Sequence, residues 1–73
     1  MNVYYNNLWK LLIDRGMKKK DLREATGIST ASMAKLGKNE HVNMEILVKI
    51  CEALNCDISD IMEIKEVKEN ENV

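Results

Sequence analysis

The chain has 73 residues, 45% hydrophobic and 32% charged, with a formal net charge of −1. A chain this short holds one small core, near the lower limit of unaided folding. No stretch approaches the roughly 18 uncharged apolar residues of a membrane span, and Met1 to Leu12 lacks the basic start and cleavage site of a signal peptide. The expectation is a cytoplasmic protein with no membrane partner.

Zero Pro and three Gly argue against a loop-rich or sandwich protein and favour helices joined by short turns. A single His and no glycine-rich phosphate loop leave little from which to build a reaction, so no enzyme is expected. Cys51 and Cys56 are not a CxxC pair, and only His41 could join them. That is too few soft ligands for a zinc site, and a disulfide is not expected without a secretory signal. Both cysteines read as small hydrophobes. No cofactor and no small-molecule ligand are predicted.

In chain order, the first helix is expected at about Tyr5 to Arg15, where Leu8, Leu11, Leu12 and Arg15 recur at i, i+3, i+4, i+7. The second runs from about Lys19 to Thr26, centred on Leu22 and Ala25, and the third from about Thr30 to Leu36 with Met33 and Leu36 inward. The fourth, Met44 to Leu54, carries the apolar stripe Leu47, Ile50, Cys51 and Leu54, and a short fifth runs from about Ile58 to Met62 or a little beyond. Gly16, Gly27 and Gly37 follow the first three segments and are placed as left-handed C-terminal caps, with Asn55 in that role for the fourth. Met17, Met33, Met44 and Met62 read as core filler.

The starts are equally regular. Met17/Leu22, Ile28/Met33, Val42/Leu47 and Cys56/Ile61 have the spacing of hydrophobic staples, leaving Lys18, Ser29, Asn43 and Asp57 at the cap positions. Ser29, Asn43 and Asp57 can each accept from an unpaired N–H of the first turn. Lys18 cannot, and Asp21 is expected to satisfy that start from the other side. The expected architecture is all-α, a domain over 1–64 followed by a charged flexible tail over 65–73.

Charge is divided unevenly. Residues 1–38 carry eight cations against three acids, a surplus of +5, whereas 39–73 carry three against nine, or −6. A basic face for phosphates with an acidic back explains the split; solubility alone is the plain alternative.

Between the second and third helices lie only Gly27, Ile28 and Ser29. A helix, a tight turn opening on glycine and a second short helix make a helix-turn-helix unit. Leu22, Ile28, Met33 and Leu36 supply the apolar residues that lock the crossing. The outward face of the second member then presents Thr30, Ala31, Ser32 and Lys35, short side chains around one long cation, as suits insertion into a major groove about 12 Å wide.

From Leu8 to Ile61, about three-quarters of its length, the chain resembles the Cro/CI-type, or Xre-type, helix-turn-helix regulators. The likeness rests on RGM at the end of the first helix, KKDLREATGIS, KLGKNE, LVKICEALNC and a closing DISDIM. The resemblance implies a five-helix lambda-repressor-like DNA-binding domain, usually a dimer, acting on transcription at operator DNA. Within the family it is similar to the small single-domain regulators of mobile elements. Two positions depart from the pattern: Lys18 and Lys19 stand where many members carry Ser or Thr and then Gln, and Arg23 stands where a small residue is common.

Together these readings predict a partner, double-stranded DNA, with Thr30, Ala31, Ser32 and Lys35 at base edges. Lys18, Lys19, Lys20, Arg23, Ser29, Lys38 and Asn39 are the expected phosphate contacts. One domain offers few contacts, so a homodimer on a pseudo-palindromic site is expected. His41 reads as an idle surface imidazole. Tyr4, Tyr5 and Trp9 are placed at the core edge or a subunit contact, away from the basic turn. The alternative is an interaction module whose acidic back and tail bind another regulator or a toxin.

Overall fold

The computed structural model describes residues 2–66. Helices α1 (Asn6–Asp14), α2 (Lys19–Thr26), α3 (Thr30–Gly37) and α4 (Met44–Leu54) follow the order and nearly the bounds expected from periodicity. Their apolar faces meet in one core of Tyr5, Leu8, Leu12, Leu22, Ile28, Leu36, Leu47, Ile50, Leu54 and Ile61. Met17, Met33, Met62 and both cysteines pack partly buried against it. Met44 does not: it stands 60% exposed on α4, so it is not core filler. No helix among the described residues is long and apolar enough to cross a membrane.

The caps follow their chemistry. The Ser29 hydroxyl accepts from the Ser32 N–H, and the Asn43 carboxamide oxygen accepts from the Ile46 N–H, each at 3.1 Å. At Lys18, whose side chain has no acceptor, the backbone N–H donates instead to Asp21 Oδ2 at 2.8 Å. Asp57 is handled in the same way, its N–H donating to Asp60 Oδ2 at 2.9 Å. The Arg15 guanidinium donates to the Leu54 carbonyl, placing a cation at the C-terminus of α4.

The end of the domain differs from expectation. The fifth helix is a single 3₁₀ turn, Ile58–Asp60. Beyond it, β2 (Glu63–Lys65) pairs antiparallel with β1 (Asn2–Tyr4), Val3 facing Ile64. Among the described residues the fold is therefore mostly helical, four α-helices with a small two-stranded sheet in place of the expected five helices. A helix continued through Met62 would draw the chain away from the backbone partners that β1 offers. The expected boundary between 64 and 65 falls inside β2, and residues 67–73 of the expected tail lie outside the described residues.

Gly37 also departs from its expected role. It has no positive φ and lies within α3, whereas Gly27 sits at φ 72° as the left-handed cap of α2. The left-handed position after α3 is taken by Asn39, at φ 57°. A Cβ at either glycine meets nothing within 4 Å, so backbone preference alone decides the outcome of substitution. Gly37→Ala should raise stability by about 0.5–1 kcal/mol, and Gly27→Ala should lower it by about 1 kcal/mol or more. Paired urea denaturation curves test this; a loss at both positions would contradict the helical assignment of Gly37.

Candidate nucleic-acid interface

The turn between α2 and α3 is closed by local bonds. The Gly27 N–H donates to the Arg23 carbonyl at 2.8 Å, and the Thr26 hydroxyl donates to the Leu22 carbonyl at 2.8 Å. Thr26 Oγ1 in turn accepts from the Ile28 N–H at 3.4 Å. Ile28 is buried with Leu22 and Leu36, and Met33 packs beside them. This apolar lock orients α3 by one side and leaves the other side free.

The free side carries Thr30, Ala31, Ala34, Lys35 and Lys38, all exposed. Helical geometry puts them on one stripe: Thr30 with Ala34 and Ala31 with Lys35 are four apart, and Ala31 with Ala34 are three apart. Ala34 is not among the outward-facing residues expected from sequence, although its i, i+3, i+4 spacing from Ala31 and Thr30 places it on this stripe. Ser32 lies off the stripe. It is half-buried, its N–H engaged by Ser29 Oγ and its hydroxyl 3.1 Å from the Ser29 hydroxyl. Ser29 is thus occupied as a cap.

Lys19, Lys20 and Arg23 on α2 face Thr30, Met33, Ala34 and Gly37 on α3 across a cleft of about 350 Å³. Three cations therefore share one concavity with Thr30 and Ala34 of the stripe. Lys18 is exposed at the α2 cap, outside the cleft lining.

Asn39 is drawn into the fold. Its Oδ1 accepts from the Tyr5 N–H at 3.1 Å, and the Tyr5 hydroxyl donates to the Glu40 carbonyl at 2.8 Å. These two bonds fasten the loop after α3 to the start of α1 and leave the Asn39 side-chain N–H groups for any further donation. Burial pushes the Tyr5 phenol above its ordinary pKa, offset in part by the Val42 backbone N–H, so Tyr5 remains a donor at neutral pH.

Trp9 is not remote from the basic turn. The Lys19 ammonium stands 4.6 Å from the centroid of its ring. Periodicity within α1 could not reveal this, because the contact crosses from α1 to the first residue of α2.

Comparison with known proteins agrees with this geometry. The chain is similar to a solved crystal structure of the transcriptional regulator VanUg, with 61% identity over 89% of this chain and 88% of that one and a TM-score of 0.85. No curated protein matches significantly. The family described as the Cro/C1-type HTH DNA-binding domain matches residues 7–66, which take in α1 from its second residue and the whole of α2, α3 and α4. The chain therefore belongs to the Cro/C1-type helix-turn-helix DNA-binding domain family.

Proposed function

We propose that the protein is a sequence-specific transcriptional regulator that acts as a homodimer at operator DNA, with α3 in the major groove. The observation that carries this reading is the outward stripe of α3, Thr30, Ala31, Ala34 and Lys35, bordered by the cationic cleft of Lys19, Lys20 and Arg23. Short side chains let the helix approach the base edges, and Thr30 and Lys35 provide hydrogen-bonding groups there. Lys19, Lys20, Arg23 and Lys38 neutralise phosphate, which gives affinity and orientation without sequence information. Ser32 serves the base contacts through the cap that sets the first turn of α3. Lys18, the Asn39 side-chain N–H groups and Ser29, whose exposed hydroxyl can exchange its Ser32 Oγ partner for a phosphate oxygen, extend the phosphate contacts around the unit.

The test is a fluorescence-anisotropy titration against the DNA upstream of its own coding sequence and against a scrambled duplex, at several salt concentrations. Tight, salt-sensitive and sequence-selective binding is expected. Absence of binding at any salt would sink the reading and favour the interaction module.

A second copy is best met on the outer face of α4. Met44 and Val48 are exposed there and, with the exposed Ile58 of the 3₁₀ turn and with Leu47, Cys51 and Cys56, line a shallow groove of about 380 Å³. This groove shares no residue with the α2–α3 cleft, so self-association leaves the DNA-facing surface open. Val48→Glu puts a charge at a position already 48% exposed, so the monomer should keep its fold. Sedimentation equilibrium should show it shifted to monomer; an unchanged mass distribution would place the interface elsewhere.

A further inference from the structure

We propose that Trp9 is a positioning residue for backbone binding: it holds the Lys19 ammonium over its ring so that the cation meets phosphate already oriented. The inference rests on the DNA-binding reading above and adds to it a residue from α1, outside the helix-turn-helix unit. The Lys19 Nζ lies 4.6 Å from the Trp9 centroid, within the range in which the negative face of an indole attracts a cation. Trp9 is half-buried and packed against the core, so the ring is a fixed platform, whereas Lys19 is exposed. An ammonium has three N–H donors, and a ring on one side leaves the others for phosphate oxygens.

The position of Lys19 gives the contact its consequence. Lys19 opens α2 and lines the cleft with Lys20, Arg23 and Thr30. An unrestrained lysine loses much rotamer freedom when it grips a phosphate. A lysine already resting on a ring has lost part of it beforehand, so binding is tighter for the same contact. Because phosphate is the same at every base pair, the effect is independent of sequence.

The experiment is a double-mutant cycle on DNA affinity with Trp9→Leu, Lys19→Met and the double variant. Trp9→Phe keeps an aromatic face, and a melting temperature is recorded for each protein. Trp9→Leu should weaken operator and scrambled duplex alike by about two- to five-fold, with Trp9→Phe nearer to wild type. In the Lys19→Met background, Trp9→Leu should have no further effect on affinity. Independent losses at the two positions would overturn the proposal, as would equal losses for Leu and Phe that follow the melting temperatures. If the wild-type protein binds neither duplex, the DNA-binding reading fails and the proposal with it. If it binds and the cycle shows no coupling, only the role of Trp9 fails.

Discussion

Ile50→Ala should destabilise the domain by about 2–5 kcal/mol, a large part of the roughly 5–15 kcal/mol that holds a domain of ordinary stability. Ile50 is fully buried at the middle of α4, in the core that also contains Leu8 and Leu12 of α1 and Leu22 of α2. Removing its outer carbons leaves a cavity that three helices would have to move together to close. On the solvent side of the same helix, Lys49 pairs with Glu45 at 3.5 Å, both side chains largely exposed. Lys49→Ala should cost only about 0.3–0.5 kcal/mol, because exposed i,i+4 ion pairs are weak. Thermal and urea unfolding of both variants gives the contrast. DNA binding by Ile50→Ala should fail only under conditions where the domain unfolds. An Ile50→Ala protein as stable as Lys49→Ala would mean that α4 does not face the core as described.

Thr30→Ala should weaken operator binding by about 1–3 kcal/mol and leave scrambled duplex nearly unchanged. Thr30 is neutral, exposed and the first residue of α3, so a contact it makes depends on which base edge it meets. Lys38→Ala should weaken both duplexes together and reduce the salt slope by about one unit, since it removes one charge from the phosphate contacts. Lys38 is exposed beyond the end of α3 and its side chain belongs neither to the cap network nor to the core. Titrating both variants against both duplexes at matched salt separates readout from charge. Equal losses for Thr30→Ala on the two duplexes would exclude the first turn of α3 as the reader, and the segment Asn39 to Asn43 would be tested next.

Ser32 shows where adjacency in the sequence and a shared helix face part. Reading the first turn of α3 as a run of neighbours puts Thr30, Ala31 and Ser32 on one face. The helix turns Ser32 toward its cap, and Ala34 completes the stripe instead. The i, i+3, i+4 rule applied from Thr30 and Ala31 identifies Ala34 from residue order alone.

What the amino-acid sequence determined by itself was local. The four helices, the three-residue turn between α2 and α3 and the caps at Ser29 and Asn43 depend on residues within four positions of one another. So does the Asp21 bond to the Lys18 N–H. Periodicity, glycine and short polar side chains announce such features directly. The helix-turn-helix unit was legible for the same reason, and with it the cations of α2. Tertiary structure decided everything that joins distant segments. Strands of three residues at opposite ends of the domain carry no periodic signal of their own, and β1 and β2 exist because they pair with each other. Their pairing removes Glu63–Lys65 from any fifth helix. Asn39 binds the Tyr5 N–H across 34 positions, which makes the loop after α3 part of the support for α1. Lys19 reaches Trp9 because the connection between α1 and α2 folds one helix start over the other's side. Such contacts depend on the angle at which helices cross, and that angle is set by the packing of the whole core.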